Sequence, residues 1–369
     1  MATNTPAPAL DAHAKPPASL KTFYKRLQRA DKHDLARRPD MVDCDSTAET
    51  FSPHLVRRCE LPGVSLPSEL STVFAAFTGE AHEGVEAPVV YELLDVPGLY
   101  IYPALLPRKV QTALLHQLLH RHLSDPRHQT NVHLHYHVPY PPAHAQTGEA
   151  ASFFDASARH LDFKPKASPH RPFTTRSLLD RKLRWMTLGG QYDWTSKTYP
   201  SYPSPPPFPA DIKILIESLF PMKAEAAIAN VYSPGETLSV HRDVSEQCAR
   251  PLVSLSLGCE AIFVIGVGDD EAETAETAET AETAETAETA ETAETEGGRG
   301  VGRMVAVRLR SGDAVLMSGP ARYAWHGVPR VVGGSCPEWL AGWPGGGEGV
   351  GGGWMGGKRV NLNVRQMFD

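Results

Sequence analysis

Asn230-Val-Tyr-Ser-Pro-Gly-Glu-Thr-Leu-Ser-Val-His-Arg-Asp243 is the stretch whose reading decides this chain. Leu238-Ser239-Val240-His241 alternates apolar and polar side chains, the pattern of a half-buried strand. Residues two apart in a strand project to the same side. His241 and Asp243 therefore bring an imidazole and a carboxylate to one point at a strand end. A second, distant His would complete the facial triad that holds non-haem Fe(II) and leaves positions open for O2 and a co-substrate. A His-x-Asp pair by itself is usually a surface pair, so the assignment depends on its surroundings.

Working outward, residues 226–232, 237–241, 252–257, 261–267, 304–309, 314–318, 324–328 and 359–366 read as strands, with Asp243, Gly258, Gly268, Gly312 and Gly319 near their ends. Eight short strands separated by turns predict a mainly β fold with flanking helices, built on an antiparallel double-sheet jelly roll. His326 lies on the penultimate strand, 85 positions after His241, where a third ligand is needed. The last strand, Arg359-Val-Asn-Leu-Asn-Val-Arg365, places Arg359, Asn361, Asn363 and Arg365 on one face and Val360, Leu362 and Val364 on the other. Two guanidinium groups on an inward face call for an anion, and a dicarboxylate pairs with them bidentately.

Those motifs carry a resemblance. Asn-x-Tyr-x-Pro-Gly-x-x-Leu-x-x-His-x-Asp, Ser254-Leu-Ser-Leu-Gly, the distal His326-Gly and Arg-x-Asn-x-Asn-x-Arg together resemble the AlkB family of Fe(II)/2-oxoglutarate dioxygenases. Arg184-Trp-Met-Thr-Leu-Gly-Gly-Gln-Tyr-Asp-Trp194 is similar to the subgroup of the first eukaryotic AlkB homologue. The resemblance spans about residues 88–368. It implies Fe(II), 2-oxoglutarate and O2 as cofactors, and His241, Asp243 and His326 as metal ligands and catalytic centre. The 2-oxoglutarate contacts then fall on Asn230, Tyr232, Arg359, Asn361, Asn363 and Arg365. The substrate-clasping side chains fall on Trp185, Tyr192 and Trp194, with Ser245 where bacterial members carry an acidic base-reading residue. The implied activity is oxidative demethylation of an N1- or N6-methyladenine-type base in RNA (tRNA or mRNA) or DNA. The same chemistry on a protein side chain such as a histone tail, or a non-catalytic nucleic-acid-binding module, are the alternatives.

The remaining chain supports this organisation. Residues 171–202 mix Arg171, Arg176, Arg181, Lys182, Arg184 and Lys197 with Trp185, Tyr192, Trp194 and Tyr199, a composition suited to phosphates and unpaired bases. The net charge of −7 is set by residues 269–296, which hold two Asp and ten Glu without a basic residue; the rest of the chain is +5. There Ala-Glu-Thr repeats eight times through residues 272–295, a period that makes no coherent helical face, and a solvated loop is expected. A glycine-rich insert at 333–357 is expected to be flexible.

Residues 1–87 read as an N-terminal extension, partly disordered, with an amphipathic helix at 20–38 and an irregular stretch from 40 to 90. Residues 88–368 form the dioxygenase domain, with nucleotide recognition near 170–205, the jelly roll at 222–368 and inserts at 269–299 and 333–357. A helix at 107–123 carries His116, His120 and His122, and a strand-like segment follows with His133, His135 and His137 on one face. No carboxylate is interleaved, so these imidazoles read as a solvated face rather than a second metal site. Five scattered cysteines, the absence of a secretion signal and the absence of an apolar run of membrane-spanning length predict an intracellular monomer without a membrane anchor, with nucleus, cytoplasm and mitochondrion all open.

Overall fold

The computed structural model describes residues 10–31, 35, 41–44, 56–58, 67–143, 151–200, 204–266, 304–345 and 352–368. From residue 226 onward Val, Ile and Leu dominate the segments between turns, and such side chains favour a pleated surface. They form β1 (Ala226–Tyr232), β2 (Leu238–His241), β3 (Leu252–Gly258), β4 (Ala261–Gly266), β5 (Met304–Leu309), β6 (Ala314–Met317), β7 (Trp325–Val331) and β8 (Arg359–Arg365). The larger sheet contains the run β6-β3-β8-β1, and the smaller contains β5-β4-β7-β2, all antiparallel. This is the expected jelly roll. Only β7 departs by more than a residue or two from its expected bounds. It continues through Pro329, which cannot donate to the ladder, and the pairing with β4 shifts there, between Ile262 and Val264.

Other segments extend both sheets. Leu99–Tyr102, Tyr91–Leu93 and Val56–Arg58 add successively beyond β6, and Trp185–Gly189 adds beyond β1. Met41–Asp43 runs parallel to β5 at the edge of the smaller sheet. The N-terminal helix α1 (Ala18–Arg29) is shorter than expected, and it lays Tyr24 and Leu27 on Ile262, Val264 and Ala306. A second helix, α2 (Pro67–Thr78), occupies a stretch expected to be irregular. Pro67 is the first residue of that helix rather than a break, because a missing N–H costs nothing there. Together with α3 (Arg108–His116) and α4 (Ala210–Leu219), α2 joins the main apolar core, which also holds Val360, Leu362 and Val364 of β8. Among the described residues, no helix is long and apolar enough to cross a membrane.

Two expectations are corrected. The segment carrying His133, His135 and His137 is not a strand with one imidazole face. It is a 3-10 turn, Asn131–Leu134, followed by the short strand Tyr136–His137. Local hydrogen bonds win: Thr130 N donates to His133 Nδ1 at 2.9 Å, and Thr130 Oγ1 accepts from Val132 N at 3.2 Å. The imidazoles before it are not all solvated either, since His122 is buried and His120 packs between Phe154 and Trp343. The glycine-rich insert is ordered at both ends, in the short helix Glu338–Ala341 and the turn Trp354–Gly357, because Trp343 and Trp354 bury their rings around Phe154. Residues 346–351 between them, and the Ala-Glu-Thr tract, lie outside the described residues.

Candidate active site

β2 ends on His241 and β7 begins at Trp325, and the two strands place His241 directly opposite His326. β2 holds one extra residue between Leu238 and His241, a bulge of the kind that re-aims a strand end. The glycine of the distal His-Gly motif has a steric reason. A Cβ on Gly327 would stand 2.9 Å from the Leu238 carbonyl oxygen and 3.1 Å from Val240 N, so only glycine lets β7 approach β2 this closely. The two imidazole centroids are 4.5 Å apart.

Each ring is oriented by its own strand. Ser239 O lies 2.9 Å from His241 Nδ1, and Ala324 O lies 3.0 Å from His326 Nδ1. A carbonyl at Nδ1 accepts its proton's hydrogen bond, fixes the tautomer and leaves the Nε2 lone pair free. Both Nε2 atoms face Asp243, at 3.8 Å from Oδ1 for His241 and 3.8 Å from Oδ2 for His326. Those separations are too long for hydrogen bonds. They suit three ligands around one cation, and one donor atom from each residue lies within 4.8 Å of the others. Burial and the neighbouring His241 push His326 down to about 4, which keeps its imidazole neutral. Burial alone would raise Asp243, but the Arg365 guanidinium, whose Nη2 donates to Oδ2 at 2.8 Å, and both imidazoles hold it well below the carboxylate range.

A cavity of about 240 Å3 opens onto His241 and Asp243 of this triad. Tyr192, Trp194, Ser245, Asn230, Asn363 and Arg365 line it together with His241 and Asp243. Trp194 packs at 5.1 Å against Trp185 and at 4.8 Å against Tyr192, making an aromatic wall at the mouth. Trp185 backs Trp194 and is not itself among the lining residues. Ser245 Oγ donates to Lys197 O at 2.8 Å, which ties the aromatic loop to the loop bearing Asp243.

The inner face of the larger sheet carries polar atoms that the protein does not satisfy. Register places Tyr232 opposite Arg359 and Asn230 opposite Asn361. Arg359 Nε and Nη1, Tyr232 Oη, Ser256 Oγ and Arg365 Nη1 are all buried without a hydrogen-bond partner among the described residues. Burial pushes Arg359 down to about 10. A buried cation of this kind costs several kcal/mol unless an anion joins it. Asn361 differs from its neighbours, because its amide donates to Ser254 Oγ at 2.8 Å and Leu255 O at 3.0 Å and so braces β3.

A family description, 2OG-Fe(II) oxygenase superfamily, matches residues 98–365. The chain belongs to that superfamily, in its AlkB family. It is similar to the N6-methyladenosine RNA demethylase ALKB1 of Pyricularia oryzae, with 40% identity over 371 residues, 97% of this chain and 98% of that one. The N6-methyladenosine RNA demethylase ALKBH of Cryphonectria parasitica is 44% identical over 245 residues, 64% of this chain and 100% of its own. The tRNA demethylase abh1 of Schizosaccharomyces pombe is 34% identical over 292 residues, 76% and 82% of the two chains. The protein is therefore an oxygenase that uses Fe(II), 2-oxoglutarate and O2. Its residues fit both groups: two imidazoles and a carboxylate for the metal, and unsatisfied guanidinium and hydroxyl groups for a dicarboxylate.

Two buried residues of the oxygenase escape a reading of the sequence. Glu246 Oε2 accepts from Arg322 Nη2 at 2.7 Å, and its Oε1 lies 2.9 Å from Arg365 Nε. Arg322 also donates to the Asp243 carbonyl at 2.8 Å and to Arg250 O at 2.9 Å. The chain Arg322–Glu246–Arg365–Asp243 thus fixes the Asp243 carboxylate from behind. Arg322 sits on a short turn, Gly319–Tyr323, and neither alternation nor helical spacing marks such a residue as buried. The signal that was present is Glu246, an acid three positions after Asp243.

Proposed function

We propose that the oxygenase oxidatively demethylates adenine in RNA, with N6-methyladenosine as the substrate to test first. In this reading His241, Asp243 and His326 hold Fe(II). Tyr232 and Arg359 receive the distal carboxylate of 2-oxoglutarate, while Asn230, Asn363 and Arg365 line its path to the metal and Asn361 braces the strand beneath. The carrying observation is that Tyr192 and Trp194 share one cavity with His241 and Asp243. A flat base stacked on those rings is delivered to the triad. Similarity to demethylases of RNA across nearly the whole chain supports the substrate class.

The bound Fe(II), with O2 and 2-oxoglutarate, supplies an oxidant that hydroxylates a C–H bond of the methyl group. The chain does the rest. The carbonyls of Ser239 and Ala324 hold the Nδ1 side of each imidazole, so both Nε2 lone pairs point inward. Arg365 keeps Asp243 anionic. Trp194 and Tyr192 exclude water and stack the base, which must leave its helix or come from a loop. The N-hydroxymethyl product breaks its C–N bond, releasing formaldehyde and the unmethylated base.

Incubation of the full chain with Fe(II), 2-oxoglutarate and O2 on N6-methyladenosine RNA, N1-methyladenosine tRNA, methylated DNA and a methylated histone peptide tests the proposal. Loss of methylated adenosine from RNA with matching succinate is expected. Succinate release with the peptide alone would overturn it.

A further inference from the structure

We infer that the small side sheet and the helical turn before Trp185 form the surface that grips the RNA phosphate backbone outside the cavity; this rests on the RNA reading of the active site. Asp162–Pro165 pairs with Tyr136–His137 on one side and with Phe173–Thr174 on the other. One face of this sheet is committed to the core. Phe163 stacks on Phe173 at 4.7 Å, and Tyr136 meets Phe173 edge-on at 4.7 Å. Lys164, in register with His137, belongs to the other face and is exposed, as are Lys166 and Arg171 beyond it.

The chain then turns through residues 175–182, where Leu178 and Leu179 are buried while Arg176, Arg181 and Lys182 are exposed. Six exposed cations thus stand in residues 162–182 against two acids, Asp162 and Asp180, and Asp180 lies 3.5 Å from Arg176. Lys164, Arg171, Arg181 and Lys182 have no carboxylate partner among the described residues. By contrast, Arg308 and Arg310 at the edge of the smaller sheet both engage Asp43 and Glu260.

An unbalanced surface of this kind attracts a polyanion. Its place in the fold selects which one. Lys182 is three residues before Trp185, which pairs with Asn230 of β1 beside the triad. A strand of nucleic acid lying on these cations can therefore hand one base to the aromatic wall. A membrane is the poorer fit, because the six cations are joined by a single large exposed apolar side chain in the adjoining turn, Leu134, too little to anchor in a bilayer.

The test is Arg171→Ala/Arg181→Ala/Lys182→Ala in the full chain. Binding to an unmodified single-stranded oligoribonucleotide is followed by anisotropy across a salt series. Each phosphate contact contributes about 0.7 to the log–log salt slope, so the triple variant should lose about 2 from it. Its melting temperature and its turnover of a methylated mononucleotide should match the wild type. An unchanged slope overturns the inference, as does wild-type binding to phosphatidylserine vesicles in preference to RNA. A reduced slope in a protein that demethylates neither RNA nor mononucleotide supports the surface and counts against the substrate reading alone.

Discussion

Two groups of histidines in this chain are equally conspicuous in sequence and have different chemistry. His241 and His326 come from distant strands, meet at 4.5 Å, and have a carboxylate 3.8 Å from each Nε2. His116 and His120 are one helical turn apart and stack at 4.7 Å, and His120 packs on Phe154 and Trp343 without an acid between the two imidazoles. Imidazole density therefore says little about a metal site. An interleaved carboxylate and a backbone carbonyl on each Nδ1 are what suit two rings to a metal.

The strongest way to break the contrast is Asp243→Ala. It should remove Fe(II) or Co(II) binding and all succinate formation, while His116→Ala leaves the metal titration where it was. A variant of Asp243 that still binds metal at wild-type affinity would refute the triad. Next in size is Arg322→Met. It strips Glu246 of one of its two buried partners, and breaking such a pair, here with both side chains about 2% exposed, costs about 3–5 kcal/mol. Urea unfolding measures it. A loss below 1 kcal/mol would mean that Arg365 alone satisfies Glu246.

These two predictions also mark what was legible. Seven of the eight jelly-roll strands could be placed to within a residue or two, because alternation and turn residues are local signals. The triad could be anticipated because each ligand sits beside a turn or a glycine with its own reason to exist, as at Gly327. Glu246 stands near Asp243 in the sequence, but its pairing with Arg322 could not be anticipated, since only the third dimension shows that both charges are buried and joined. The side sheet was obscured in the same way. Its strands are two to four residues long, too short for a period to register. The glycine-rich insert misled for a different reason: composition argued for flexibility, whereas two tryptophans within it supply enough buried area to order both ends.

The smallest effect concerns acid. Burial, with His116 as a lesser cause, pushes His120 down to about 4; burial pushes His122 to about 3 and His128 to about 4, while His326 lies at about 4. The unfolded chain takes up these protons near 6.5, so between 6.5 and about 4 it binds more protons than the folded one. Stability is then fully present above pH 6.5 and is lost as pH falls toward 4. The wild-type melting temperature should drop from pH 7.5 to pH 5. His120→Leu keeps an apolar side chain between Phe154 and Trp343 and removes one protonation, so its drop should be smaller while metal affinity at pH 7.5 stays the same. Equal drops in the two proteins would show that this imidazole does not titrate on unfolding. A change in metal affinity would instead join the two histidine groups that the geometry separates.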